Sequence, residues 1–411
     1  MGIKGLLKFV DGAKRRAHLE ELREKRVAVD AYVWLHRGAR SCATELGTGA
    51  PTSKFTDYAM GMVGMFRAHG VEPLLVFDGN TFPCKASTEQ HRATSRTAKR
   101  RHAESLRAMG AGASAVADAF YESVDITPEM ARALQLRLRS AAVRFLVAPY
   151  EADVQLAYLC LTGSVHACCT EDSDLLVYQC PRVLYKLEPT GEADFFEFER
   201  LRELREGPRL LFDPWPAWRE WRFTAMCILA GCDYLASLDK VGIKGAHKLC
   251  AGFRSAEEVL SVLQMRGHLA PAYAPAFTAH FRMSQAIFAY APIFDPRSRT
   301  VRRLRAHAPV ADAAREAQLD ADVPLPRWPV EVARAVCESG DLNPITLEPF
   351  EPSRAEAVAP RAAEPTAGPL AVSACVQRKR QLAQLEPWTG NFARADAFVS
   401  TAAARAAFIN P

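Results

Sequence analysis

Short apolar runs that end in acids recur along this chain. Arg26–Asp30 (RVAVD), Pro73–Asp78 (PLLVFD), 143–149 (VRFLVAP) and 164–170 (SVHACCT) are too short for helices and apolar almost throughout. That pattern predicts strands buried on both faces. Between them, Ala31–Leu46, Lys54–His69 and Thr127–Ser140 read as helices. Gly70 is placed to cap the second, and Thr127-Pro128-Glu129 is a good start for the third. Val183–Leu187 and Asp194–Phe198 read as two further short strands, paired with each other. Strands separated by helices predict an α/β fold with a mostly parallel central sheet.

The acids sit where such a sheet gathers its ligands, outside the carboxyl ends of the strands. Asp30 and Asp78 close the first two runs, Glu151 and Asp153 follow the third, and Glu171, Asp172 and Asp174 follow the fourth. One strand-end Asp is most simply a helix N-cap. Four strand ends delivering acids argue instead for one cluster. Converging carboxylates repel one another and lose hydration, so cations must neutralise them, and hard oxygen ligands select Mg²⁺ or Mn²⁺.

Three other stretches carry charge or glycine in telling places. Lys85–Arg107 has helical spacing, with Lys85, Arg92, Arg96, Lys99, Arg100, Arg101 and Arg107 against Glu89 and Glu104. A basic helix is usually a solvated face, but this one leaves directly from Asp78-Gly79, which favours phosphate contact. Arg219–Leu229 reads as a helix leading into Gly231-Cys232-Asp233-Tyr234. Gly242-Ile243-Lys244-Gly245 then opens a helix, a way to offer backbone N–H groups to a phosphate, or else an ordinary helix connection. Helices continue to about Tyr290, and Ala291–Val301 returns the chain to the main body.

Composition changes this picture little. A length of 411 residues suits two or three domains, or one large α/β unit with an extension, and 49% apolar residues suffice for its core. The net charge of +5 is mild, so the placement of charge matters more than its sum. Eleven dispersed cysteines without a CxxC pair read as reduced thiols in a nuclear or cytosolic protein. No run of about 18 apolar residues is present, and Met1–Leu6 fits neither a signal peptide nor a myristoylation signal, so a soluble protein is expected. Beyond about Phe350 the chain turns rich in Ala, Pro and Glu, which suits a disordered tail. That tail holds a basic Arg378-Lys379-Arg380 cluster, a candidate for nuclear import, and the aromatic residues Trp388, Phe392, Phe398 and Phe408, a candidate partner-binding peptide.

Assembled, these blocks resemble the structure-specific 5′-nuclease family, of flap endonuclease and XPG type. The resemblance rests on Met1-Gly2-Ile3-Lys4-Gly5-Leu6, Val27–Asp30, Ala148–Leu159 (APYEADVQLAYL), Thr170–Leu176 (TEDSDLL) and Met226–Leu235 (MCILAGCDYL). Tyr150, Ser173 and the segment Ala31–His36 place it nearer the family's exonuclease branch than its flap-endonuclease branch. It covers about residues 1–350. It implies a PIN-like 5′-nuclease fold with a helical arch and a helix-two-turn-helix. The chain then divides into an N-terminal nuclease region (1–99), the rest of the arch (100–137), an internal nuclease region (138–230), the helix-two-turn-helix with C-terminal helices (231–350), and the tail (351–411).

The resemblance implies a metal site of Asp30, Asp78, Glu151, Asp153, Asp172, Asp174 and Asp233, holding two Mg²⁺ ions that Mn²⁺ can replace. Asp78, Glu151, Asp172 and Asp174 are expected as direct ligands, and Asp30, Asp153 and Asp233 through water. Lys85 and Arg92 would meet the scissile phosphate, supported by Arg96. Gly2, Tyr32 and His36 would contact DNA near the duplex end. Gly242, Ile243, Gly245 and Lys248 would grip the uncut strand, with a K⁺ held by backbone carbonyls. Implied partners are double-stranded DNA with 5′ ends, nicks or flaps, and mismatch-repair proteins, for a nuclear monomer without a membrane. The implied activity is a Mg²⁺-dependent 5′→3′ exonuclease with 5′-flap cleavage, serving mismatch repair, recombination and end resection. A sister flap endonuclease or junction resolvase, or a silent DNA-end-binding scaffold, stands as the alternative. Two departures from the family pattern stand out: Ala93-Thr94-Ser95 in the arch, and a local insertion over 206–220 with Pro214, Trp215, Pro216 and Trp218.

Overall fold

The computed structural model describes residues 2–305 and 313–351. A seven-stranded sheet runs through the molecule in the order β1-β7-β6-β5-β2-β3-β4. Its strands are β1 (Lys14–His18), β2 (Arg26–Asp30), β3 (Glu72–Phe77), β4 (Arg144–Val147), β5 (Ala167–Cys169), β6 (Arg182–Tyr185) and β7 (Glu192–Glu197). The five strands from β6 to β4 are mutually parallel, and β7 and β1 join one edge antiparallel. The predicted α/β class with a mostly parallel sheet is what forms.

Burial on both faces explains the unbroken apolar runs. Ala28 in β2 and Leu74 and Val76 in β3 face one core, while Val27, Val29, Leu75 and Phe77 face another. Helices Ala31–Ala39, Phe55–Ala68 and Pro128–Ser140 cover the second face, where Trp34 meets Phe66 edge to face at 5.6 Å. Helices Ala152–Leu161 and Phe223–Ala230 cover the first. Each such buried side chain contributes ~1.5–3 kcal/mol through lost apolar surface. The hairpin Pro292–Asp295/Thr300–Arg303 returns to helix Ala152–Leu161. There Gln155 donates from Nε2 to Phe294 O at 2.9 Å and accepts from Phe294 N at 2.8 Å.

Several predicted elements differ in the structure. The helix expected over 31–46 breaks into Ala31–Ala39, a tight turn Arg40–Cys42, and Ala43–Thr48. The strand β1 carries Lys14, Arg15 and Arg16, a charged edge whose sequence gives no apolar alternation. The basic helix runs from Ala86 to Ala108 and packs on an unforeseen helix, Ala113–Tyr121, around Ala103, Val116 and Phe120. Pro128–Ser140 packs on the main body through Ala131, Leu134 and Leu138, although its first ten residues were expected within the arch span 100–137. Apart from Glu351, the expected tail, with its basic cluster and aromatic residues, lies outside the described residues. Among the described residues no helix is long and apolar enough to cross a membrane.

The 206–220 insertion forms a small hairpin, Arg205–Glu206 with Arg209–Leu210, and then the helical turns Trp215–Ala217 and Trp218–Arg222. Trp218 is fully buried and stacks on His247 at 4.8 Å, with Phe212 edge-on at 5.0 Å. His247 donates from Nε2 to Leu211 O at 2.6 Å. The insertion therefore braces the helix Ile243–Gly252.

Candidate active site

The parallel register delivers the acids to one place. Asp30, the last residue of β2, pairs opposite Val76 of β3, so Asp78 emerges just beyond it on the neighbouring strand. Asp30 Oδ1 accepts from the amides of Tyr32 at 3.0 Å and Val33 at 3.4 Å, and Oδ2 accepts from the Thr170 hydroxyl at 3.0 Å. It is thus a helix cap and a cluster member at once. Asp78 Oδ1 accepts from the amide of Ala152 at 2.7 Å, which fixes the helix carrying Asp153 against β3. Asp172 Oδ1 accepts from the amide of Asp174 at 2.9 Å, and the Asp172 amide donates to Thr170 Oγ1 at 3.1 Å.

Electrostatics shows that these groups share one field. Burial pushes Asp30 up to about 6 and Asp78, beside Asp30 and Glu151, up to about 7. Burial also pushes Asp153 and Asp174 well above the usual carboxylate range, with Asp172 the strongest repelling charge for both. Asp172 rises from burial too. Asp153 Oδ1 and Asp174 Oδ1 are buried with no hydrogen-bond partner. Buried anions with orphaned oxygens are costly unless cations meet them. Such an oxygen-only donor set fits Mg²⁺ or Mn²⁺.

At the mouth of the cluster the protein supplies its own cations. Lys85 Nζ lies 2.6 Å from Glu151 Oε1 and 3.0 Å from Asp233 Oδ2, and Arg92 reaches Asp233 Oδ2 at 3.0 Å. Burial opposes the charge on Lys85, yet Glu151 and Asp233 outweigh it and raise its pKa. Asp233 shows the reverse balance: burial pushes it up, but Lys85 and Arg92 hold it below its ordinary value. Glu89 also pairs with Arg92 at 2.7 Å.

All seven predicted acids and both predicted arch cations are therefore neighbours. Gly2 lies against the acids. With φ at 77° it occupies the left-handed region, and a Cβ there would come 2.2 Å from Asp172 Oδ1 and 2.8 Å from Asp174 Oδ1. The next amide, Ile3 N, donates to Ser173 Oγ at 2.8 Å, and Gly5 backs onto Ile243. Tyr32 is half-buried beside Asp78 and Asp30, and burial with those charges raises its phenol pKa, whereas Trp34 is core. His36 is half-buried near Arg96, and burial lowers its pKa. Arg96 pairs with Asp125 at 3.1 Å.

Gly242, Ile243, Gly245 and Lys248 sit at the start of the braced helix, where Gly242 is the N-cap and the first helical bond runs from Ala246 N to Gly242 O at 2.9 Å. The preceding amides point out of the helix, as an anion site requires.

Three supporting residues escaped the sequence reading. Tyr234 donates its hydroxyl to Glu151 Oε2 at 2.7 Å, and its ring lies under Lys85 Nζ at 4.8 Å. Thr170 bridges Asp30 and the Asp172 amide. Arg37 holds Glu171 at 2.7 Å, together with Tyr58 OH and Leu187 O, so Glu171 is tied to a structural pair. Adjacency to Asp233 and Glu171 was the only signal available for the first two.

Comparison with known proteins matches the two segments that carry these acids. Residues 1–99 match the XPG N-terminal domain and residues 142–233 the XPG I-region. Exonuclease 1 of Arabidopsis thaliana is 36% identical over 363 residues, covering 88% of this chain and 47% of that protein. Exonuclease 1 of Xenopus laevis is 41% identical, covering 61% of this chain and 33% of its own. Exodeoxyribonuclease 1 of Saccharomyces cerevisiae is 37% identical, covering 66% and 38%. The chain spans less than half the length of these relatives. With both domains present and the acids of each converging on one site, the chain belongs to the XPG-type nuclease family.

Proposed function

We propose that this protein is a Mg²⁺-dependent 5′→3′ exonuclease on double-stranded DNA that also cleaves 5′ flaps. One observation carries the reading: six carboxylates gather beyond the ends of parallel strands, two of them with orphaned oxygens, and Asp233 joins them from the end of helix Phe223–Ala230 beside the Lys85 and Arg92 cations. Asp78, Glu151, Asp172 and Asp174 would hold Mg²⁺ directly, with Asp30, Asp153 and Asp233 behind them. Bound there, two such ions supply an activated water and stabilise the leaving oxygen in phosphodiester hydrolysis.

The chain's own residues do the rest. Lys85 and Arg92 pair with Glu151 and Asp233, and an entering phosphodiester would compete with both acids for these cations. Held by a buried stem, Lys85 then stabilises charge building on the phosphate. Tyr32 and His36 meet unpaired bases at the duplex end, backed by Arg96. The segment Gly242–Lys248 would hold the uncut strand, and its backbone carbonyls would hold a K⁺. Names of the relatives support exonuclease activity, and the same likeness suggests a nuclear monomer acting with mismatch-repair proteins in repair, recombination and resection.

The test is digestion of a 5′-labelled duplex with Mg²⁺ and with chelator, alongside 5′ flaps and four-way junctions. Mg²⁺-dependent release from recessed or blunt ends, faster than from junctions, is expected. Preference for flaps or junctions would assign a sister activity, and no cleavage of any substrate would leave a DNA-end-binding scaffold.

A further inference from the structure

Away from the carboxylate cluster, two imidazoles and a carboxylate meet. His18 ends β1, Glu20 follows in the tight turn Leu19–Leu22, and His69 caps helix Phe55–Ala68. The two rings stand edge to face with centroids 4.9 Å apart. Glu20 lies between them, with Oε2 3.6 Å from His18 Nδ1 and Oε1 3.5 Å from His69 Nδ1. One ligand atom of each lies within 4.8 Å of the others. Ligands at ~2.0–2.1 Å from a tetrahedral ion stand ~3.4 Å from one another, close to both His–Glu spacings here.

The surroundings prepare His18 to be a ligand. Its Nε2 donates to Thr190 O at 3.0 Å, which leaves the Nδ1 lone pair facing Glu20. A backbone carbonyl in that role is the usual way to fix a metal-binding imidazole. The Nδ1 lone pair accepts only a long 3.3 Å bond from the Glu20 amide, which an ion would displace. Gly191 is part of the arrangement: a Cβ there would lie 2.9 Å from His18 Nε2 and 3.3 Å from His69 Nε2. Only glycine admits both rings, and its φ of 94° suits glycine alone.

A second trio, Cys160, Cys168 and Cys180, is fully buried, and each thiol donates to a backbone carbonyl. Those are core thiols. The histidine site is half-exposed and open to an ion from solvent.

We propose that His18, Glu20 and His69 form a binding site for a late first-row divalent metal ion, Zn²⁺ in particular, with a fourth position left to water. Imidazole and carboxylate together suit such an ion and not Mg²⁺. The ion clips the edge strand β1 to the end of helix Phe55–Ala68, elements from two separate parts of the chain.

The experiment is equilibrium dialysis of the whole chain against Zn²⁺ with Mg²⁺ in millimolar excess to hold the carboxylate cluster. Alongside it, Cu²⁺ is added as a probe and read by electron paramagnetic resonance. Wild type should retain one Zn²⁺ that raises its melting temperature, and the copper spectrum should show coupling to imidazole nitrogen. His69→Gln and His18→Gln should each weaken Zn²⁺ binding on the order of 100-fold and abolish the Zn²⁺-induced rise in melting temperature. His18 also caps a turn, so His69→Gln, which loses no hydrogen bond found here, decides the matter if His18→Gln unfolds. Zn²⁺ binding of equal strength in His69→Gln and wild type, or none in wild type, overturns the site. Neither result depends on nuclease activity, so failure here is distinct from failure of the proposed function.

Discussion

The Tyr234 hydroxyl donates to Glu151 Oε2 at 2.7 Å, while Lys85 holds the other oxygen of the same carboxylate at 2.6 Å. Glu151 is therefore fixed at both oxygens, by one permanent partner and by one that a phosphate can draw away. Tyr234→Phe keeps the ring under Lys85 and removes only the hydroxyl. A hydrogen bond to a charged group contributes ~1.5–3 kcal/mol, so turnover should fall by about tenfold or more, with a higher Mg²⁺ requirement and little change in DNA affinity. Steady-state rates across a Mg²⁺ series check this; an unchanged Mg²⁺ requirement would show that Glu151 needs no such anchor.

Asp174 carries a buried oxygen with no hydrogen-bond partner, and Asp172 repels it. Asp174→Asn removes that charge in nearly the same volume. Cleavage should be lost while duplex binding survives, and in chelator the variant should melt higher than wild type by ~2–4 °C. Calorimetry with and without Mg²⁺ tests the pairing of effects. Cleavage at the wild-type rate would remove Asp174 from the metal site.

Most of this site was legible because its parts are local. An acid at the end of an apolar run, such as Asp30 or Asp78, is visible in five residues, and a parallel sheet brings such ends together whatever the loops do. The arch cations Lys85 and Arg92 were legible by position alone. Their pairing with Glu151 and Asp233 was not, since it depends on how a polar helix lies across the cleft. The strand β1 was missed because an edge strand needs no apolar face, and helix Ala113–Tyr121 because it packs on the arch and not on the main core. The packing of Gly2 against Asp172 and Asp174 was not legible either, since it joins residues about 170 positions apart in sequence.

Raised carboxylates also set the stability of the metal-free protein against pH. Asp30 titrates at about 6 and Asp78 at about 7, both pushed up chiefly by burial. Both lie above the ~3.9 of an unfolded Asp. Between those values the folded state binds more protons than the unfolded one, so stability falls as pH rises through this window. In chelator the melting temperature should therefore decline from pH 5 to pH 7.5, and saturating Mg²⁺ should flatten or reverse the decline. A metal-free protein whose melting temperature rises over that window would contradict the shared-field picture of the cluster.

Trp218 gives the 206–220 insertion a purpose that its sequence did not disclose. Its ring is fully buried against His247, Phe212 and the rest of the aromatic cluster, and His247 lies on the helix that Gly242 opens. Truncating a buried aromatic costs ~3–5 kcal/mol, and here the loss falls on the joint between insertion and helix. Trp218→Ala should therefore speed hydrogen exchange across the amides of 246–252 and weaken duplex binding, whereas Trp221→Ala, at a half-buried ring nearby, should do neither. The joint also responds to acid. Burial lowers the pKa of His247, although its bond to Leu211 O works the other way. An imidazole depressed in the folded state binds its proton more readily when unfolded, so its stabilising share is complete above pH ~6.5 and shrinks as pH falls. Exchange over 246–252 in wild type should accelerate as pH drops below 6.5, after correction for the intrinsic rate, and the Trp218→Ala variant should lose most of that dependence. If the corrected exchange is flat with pH and unchanged by Trp218→Ala, the insertion packs on this helix without bracing it.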